Sequence, residues 1–151
     1  MDLILWRHAE AEDGKADLER ELTAKGRKQA QRVAEWMQQR LPAQYALVSS
    51  PAARAQQTAQ ALGARFKVAK QIAPGASVRA LLETAQWPDQ KGLVILVGHQ
   101  PDLGRAAAYL VSGAQSESWS VKKGGLWWLS NRIREEANQV VVRAVVSPDL
   151  L

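Results

Sequence analysis

The sequence has no cysteine and only two histidines, and both shortages narrow its chemistry. Without thiols there is neither a disulfide framework nor a thiolate metal site, a composition that suits a reducing compartment and is read as cytoplasmic. Asp2 stands where an export signal would carry basic residues, and no apolar stretch approaches the roughly 20 residues of a spanning helix, so neither export by such a signal nor a membrane partner is expected. There is also no repeat, low-complexity segment or linker. At 151 residues and 46% apolar content, the chain can fill one core and not two, so residues 1–151 are read as a single domain. The net charge of +5 favours anionic partners: phosphorylated molecules, acidic proteins or nucleic acid. Against nucleic acid, the Lys and Arg residues are dispersed and the six tryptophans are not interleaved with them.

What is present begins with an apolar run, Leu3-Ile-Leu-Trp6, that stops at Arg7-His8, as a buried strand does at the carboxyl edge of an α/β sheet. The polar stretch from Glu10 to Gly14 reads as a loop reaching about Arg20. Ala30, Val33, Ala34, Met37 and Leu41 repeat at helical spacing, predicting a helix over 23–41 capped by Thr23 and stopped by Pro42. Residues 45–49 are β-prone, and Ser50-Pro51 then opens a predicted helix running to Gly63, with Arg54 in its first turn. Residues 66–69 fit a short edge strand, and Ser77 opens a short helix whose inner face is Val78, Leu81, Leu82 and Ala85. Leu93-Val-Ile-Leu-Val97 is the clearest buried strand; it ends in Gly98-His99-Gln-Pro101, and a helix resumes over 102–111. Leu126–Leu129 and Val140–Val146, separated by a charged stretch, read as an antiparallel pair. The pattern predicts an α/β three-layer sandwich: a mostly parallel central sheet, helices on both faces and antiparallel structure near the C-terminus.

Both histidines and both Arg7 and Arg54 thus fall at the carboxyl edge of the predicted sheet, where open α/β sheets bind ligands. Taken singly, each has a plain structural explanation: a hydrogen-bonded histidine, or an arginine that is solvated or paired. Taken together, two guanidinium forks and two imidazoles match a phosphoryl group, whose oxygens arginine binds bidentately and whose phosphorus imidazole can attack. A metal hydrolase built on His8, Glu10, Glu12, Asp13 and His99 is opposed by the same arginines, which repel a divalent cation. No cofactor or metal is expected.

Leu5-Trp-Arg-His-Ala9, Arg20-Glu-Leu-Thr23, Ser49-Ser-Pro-Ala-Ala-Arg54-Ala-Gln-Gln-Thr58 and Gly98-His-Gln-Pro101 resemble the histidine phosphatase superfamily, whose fold is that of phosphoglycerate mutase. Small size and the Arg7-His-Ala-Glu-Ala11 opening look most like the SixA-type phosphohistidine phosphatases, with the resemblance running from residue 3 to about 111. It implies that His8 is the nucleophile, that Arg7, Arg54 and a protonated His99 complete the phosphate pocket, and that Arg20 reaches the same pocket. Glu10 is a candidate for orienting water or the leaving group, whereas Ser49, Ser50 and Thr58 are read as caps and packing. The nucleophile needs one free ring nitrogen, so its other N–H should be held by a backbone carbonyl.

Two features depart from the family pattern. Ala9 follows the nucleophile where glycine is common, although alanine occurs there in SixA-like members. Between Arg54 and His99, where larger members carry an acid, only Glu83 and Asp89 are available, and neither sits in an acid motif. An alkoxide leaving group needs a delivered proton, whereas a phosphorylated imidazole can depart with a proton already on its ring, so protein phosphohistidine is the favoured substrate, on a phosphorelay or phosphotransfer domain. The 44 residues at positions 55–98 leave no room for a large lid, so an open pocket is expected. The alternatives are a small phosphomonoester such as a nucleotide or sugar phosphate, with Glu10 or Glu83 as acid, and a non-catalytic phosphate-binding module.

Overall fold

The computed structural model describes residues 1–14, 16–114 and 117–151; Lys15, within the predicted loop, lies outside them. Strand β1 (Asp2–Arg7) is the centre of the core, with Leu3, Ile4, Leu5 and Trp6 wholly buried. Its side chains alternate between the two faces of the sheet: Ile4 and Trp6 pack on one side, Leu3 and Leu5 on the other. Burying each aliphatic side chain gains about 1.5–3 kcal/mol, against about 1–2 kcal/mol for fixing one residue's backbone. Such a strand is held with surplus, which lets its end carry charged groups out of water.

Helix α1 (Ala24–Gln38) begins where predicted, with the Thr23 hydroxyl accepting from the Gly26 amide, but ends three residues short of Leu41. Strand β2 (Ala46–Ser49) leads to α2 (Ala53–Gln60), which starts later than the Ser50-Pro51 pair predicts. Ser50 does accept from the Ala52 amide at 3.2 Å, yet the helical cap is Ala52, which places Arg54 as the second residue of the helix. The two-residue strand β3 (Lys67–Val68) is the predicted edge strand. Helix α3 (Val78–Ala85) is capped by Ser77 as predicted, β4 (Leu93–Gly98) is buried throughout, and α4 (Asp102–Ser112) follows.

Strands β5 (Leu126–Arg134) and β6 (Ala137–Val146) pair antiparallel, but they run through the charged stretch predicted to separate them. Only Glu135 and Glu136 form the turn, both with positive φ (49° and 65°), the two-residue hairpin geometry usually filled by Asn-Gly. Glutamates at those positions hid the turn from a reading based on turn residues.

The six strands are ordered β3-β2-β4-β1-β5-β6, parallel from β3 through β1 and antiparallel from β1 to β6. Helices α1 and α2 cover the face carrying Trp6, Ile95 and Trp128, whereas α3 and α4 cover the face carrying Leu3, Leu96 and Leu129. Trp128 is core, edge-on to Trp36, while Trp119 and Trp127 pack together with ring centroids 5.4 Å apart. Among the described residues no helix is long and apolar enough to cross a membrane.

One close approach matters to the site. A Cβ on Gly26, in the first turn of α1, would stand 2.0 Å from the carbonyl oxygen of Glu10, so the loop after His8 can lie on α1 only because residue 26 has no side chain. Further contacts fix that loop. The Gln29 side chain accepts from the Glu10 amide, the Glu10 carbonyl accepts from the Thr23 amide, and Gln57 accepts from the Leu22 amide.

Candidate active site

The register of β1 against β4 builds the centre. Arg7 lies opposite Gly98, so His8 and His99 are the residues by which two adjacent parallel strands leave the sheet. The His8 amide donates to the Gly98 carbonyl at 3.0 Å, and the ring centroids stand 5.2 Å apart at an interplanar angle of 52°. On the other side of β4, Ser49 pairs with Val97, and the following turn delivers Arg54 from α2 to the same edge. Both rings and Arg54 are buried, with Arg54 only 4% exposed.

The hydrogen bonds assign the tautomers. His8 Nδ1 lies 2.7 Å from the Ala9 carbonyl and must donate to it, which leaves Nε2 with its lone pair, 3.4 Å from the donating Arg54 Nε–H. The predicted backbone hold on the His8 ring is therefore present. Arg54 Nη2 donates to His99 Nδ1 at 3.4 Å, so the His99 proton resides on Nε2 and points to the Ser50 hydroxyl at 2.7 Å. Thr58 accepts from the Ala9 amide at 3.0 Å and donates to the Arg54 carbonyl at 2.8 Å, tying the two site segments together. Ser50 and Thr58 therefore orient site groups in addition to packing.

Electrostatics sets the resting charge of both rings. Burial, with added repulsion from neighbouring cations, pushes the His8 imidazole down to about 4; burial, His8 and Arg54 push His99 down to about 3. His99 is thus neutral in the unliganded site, whereas the protonated His99 that the resemblance implies belongs to the site with the phosphoryl group bound. Both folded values lie below the ordinary histidine value of about 6.5, so the unfolded chain takes up these protons first as pH falls. The stability tied to the neutral rings is complete above about pH 6.5 and is lost on descent toward 4 and 3. Denaturant midpoints measured from pH 7 to 4.5 should fall in the wild type, and more steeply than in a His8→Asn/His99→Asn variant; parallel curves would contradict the assigned protonation states.

Arg7 is half-buried; its Nη1 donates to the Val121 carbonyl at 2.9 Å, and its buried Nε has no partner among the described residues. Burial holds its guanidinium below the usual range, in a group that stays charged nonetheless. Arg20 lines the same cavity of about 650 Å³ as His8, Arg54 and His99, and its Nε donates to the Glu12 carbonyl at 2.7 Å. Glu10 also lines it, with its carboxylate accepting from the Thr23 hydroxyl at 2.8 Å. Glu83 is elsewhere, on the outer face of α3 in an exposed pair with Arg79, which removes it as a candidate acid for this site. Among the described residues no group of three or more His, Asp or Glu side chains is arranged to hold a metal, so the alternative metal set is not assembled.

Sequence reasoning missed Asp17. In a 3₁₀ turn at Asp17–Glu19, its carbonyl accepts from Arg54 Nη1 at 2.6 Å and its carboxylate from Nη2 at 3.1 Å, while the same carboxylate group pairs with Arg20 at 3.2 Å. Slight burial raises the Asp17 carboxyl, but the bonds from Arg54 and Arg20 outweigh it and hold the group ionised, below its usual range. An acidic side chain thus occupies the fork that would receive an oxyanion. Nothing local marks it, because its partner lies 37 residues away. Asp102 was missed as well: it is 3% exposed, and its carboxylate accepts from the Gly75 and Ala76 amides, which anchors the rim of the cavity.

An α/β sheet whose switch point presents paired imidazoles and guanidinium forks defines a protein built to hold a phosphoryl-like anion. The chain belongs to the histidine phosphatase superfamily (branch 1), whose family model matches residues 3–80, and phosphatase chemistry is the activity class this fold and family support. An uncharacterized protein of Picosynechococcus sp. is 36% identical over 138 residues, covering 83% of this chain and 82% of that one. Among solved structures, a putative phosphohistidine phosphatase SixA from Nakamurella multipartitia superposes with a TM-score of 0.81 at 28% identity, over 97% of this chain and 95% of that one. A protein histidine phosphatase SixA complexed with tungstate matches with the same TM-score of 0.81 at 21% identity, over 99% of both chains. The structural likeness therefore extends through the C-terminal hairpin, beyond the stretch in which sequence motifs could be recognised.

Proposed function

We propose that this protein is a metal-independent phosphatase that dephosphorylates phosphohistidine on a protein, through a phosphoryl group carried transiently by His8. The observation that carries the reading is the His8 ring, which lines the cavity: its Nδ1–H is held by the Ala9 carbonyl, and its Nε2 keeps a lone pair met only by the long 3.4 Å contact from Arg54 Nε–H. Nε2 attacks phosphorus, the P–N bond to the substrate imidazole breaks, and that imidazole leaves neutral when its second nitrogen already carries a proton. Water then attacks the phosphoryl group on His8 and releases inorganic phosphate, which restores the neutral ring. Arg54 and Arg7 neutralise the oxygens through both steps. The incoming dianion offsets the burial and the repulsion that together keep His99 neutral, so His99 takes up a proton at Nδ1 as the phosphoryl group binds.

Neither of the two acids the sequence offered is free to protonate a leaving group, which supports phosphohistidine over a phosphomonoester: Glu10 is engaged with Thr23 and Glu83 lies outside the cavity. A SixA relative that holds tungstate, a tetrahedral oxyanion, is consistent with the same reading. The sequence of the present chain, free of cysteine, suits a cytoplasmic setting. The deciding experiment compares a histidine-phosphorylated protein with p-nitrophenyl phosphate in steady-state kinetics and traps the enzyme by rapid quench. Acid-labile phosphate on the enzyme and a kcat/KM favouring the phosphoprotein support the proposal. Preference for the ester would assign a small-molecule phosphatase, and binding without label a non-catalytic module.

Asp17 must yield its place on Arg54 when the phosphoryl group arrives. Asp17→Ala should tighten vanadate inhibition several-fold, because the anion no longer competes with an internal carboxylate for a charged fork, an exchange worth about 1 kcal/mol. Unchanged or weaker inhibition would show that Asp17 preorganises Arg54 instead.

A further inference from the structure

Beside the catalytic cavity, and sharing Arg7 and Lys123 with it, lies a second depression of about 520 Å³ between α1, the residues leading into β5 and the turn at Pro148. Among the described residues its cationic lining is Arg7, Lys25, Lys28, Arg32, Lys122 and Lys123, and its single carboxylate is Asp149, 3.9 Å from Lys122. The groove thus holds a net +5, equal to the formal charge of the whole chain, so the remaining residues balance to neutrality. Lys25, Lys28, Arg32 and Lys123 are exposed and make no ion pair among the described residues. A protein that needed charge only for solubility would spread it over its surface.

We propose that this groove docks an acidic face of the phosphoprotein substrate next to its phosphohistidine; the inference rests on the function proposed above and names the partner's chemistry. Arg7 and Lys123 border both the groove and the catalytic cavity, so the two adjoin and a protein seated over one reaches the other. Lys25, Lys28 and Arg32 lie on one face of α1 and span about 10 Å along it, a row longer than a single phosphate and suited to several carboxylates. The groove lining contains no aromatic side chain on which a nucleobase could stack, which separates it from a nucleic-acid track. Complementary charge of this kind accelerates encounter and fixes orientation while leaving the chemical step alone.

The test is the Lys25→Glu/Lys28→Glu/Arg32→Glu variant, which leaves every residue of the catalytic cavity in place. With a net-acidic, histidine-phosphorylated phosphotransfer protein as substrate, KM should rise at least about tenfold and its salt dependence should flatten, with kcat within about twofold. Turnover of p-nitrophenyl phosphate should be unchanged, which also shows that the variant is folded. Calorimetric binding of the same phosphoprotein to both enzymes reads docking without relying on turnover. If the wild type binds the phosphoprotein more tightly than the variant but does not hydrolyse it, the functional reading fails and the docking surface stands. Equal binding and equal KM would overturn the docking surface while leaving the phosphatase reading intact, as would displacement of the phosphoprotein from the wild type by a short RNA.

Discussion

His8→Ala should remove turnover of any phosphorylated substrate by at least about four orders of magnitude, because the other imidazole lining the cavity, His99, takes up a proton as the phosphoryl group binds and then has no lone pair for phosphorus. No acid-labile label should then accumulate on the enzyme. The fold should survive. The His8 ring makes two hydrogen bonds, to the Ala9 carbonyl and, at 3.4 Å, from Arg54, each worth about 0.5–1.5 kcal/mol, whereas the neighbouring Leu3–Trp6 core is untouched. Rapid-quench labelling and a denaturation curve measured on the same preparation check both halves. Retained turnover in a folded variant would end the role of His8 as nucleophile.

Arg54→Ala should lower kcat/KM by roughly two orders of magnitude or more, the loss expected when one preorganised charged donor is withdrawn from a developing oxyanion. Arg54 is the group through which the site is connected: its fork reaches His8, His99 and Asp17 at once. Its loss removes a donor and also frees the Asp17 turn, so KM and kcat should both suffer. Arg54→Lys should recover only part of the loss, since an ammonium restores charge without the planar fork that meets two acceptors. An effect confined to thermal stability, with kcat/KM intact, would make Arg54 a structural residue.

Much of this architecture could be read from residues in order. The run Leu3–Trp6 and the run Leu93–Val97 are apolar on both faces, which only strands buried between two helical layers tolerate, and each ends at a histidine. The caps at Thr23 and Ser77 were equally legible, because capping depends on a few adjacent residues. Element ends were less so. Ser50-Pro51 has the composition of a helix start, yet the Ser50 hydroxyl faces His99 and the helix begins beyond it. The turn at Glu135-Glu136 lacks the residues that usually announce a hairpin.

The sequence by itself determined that His8, Arg7, Arg54 and His99 would stand at the carboxyl edge of a sheet, because strand period and strand termination are local properties of the chain. Only the tertiary structure decided what those groups are when they arrive: His99 is neutral because burial and neighbouring cations withhold its proton, and Arg54 is already engaged by Asp17. Only it could gather six cations from α1, the β1 terminus and the residues before β5 into one groove. Charge states and charge fields depend on distances between residues far apart along the chain, and those distances exist only once the chain has folded.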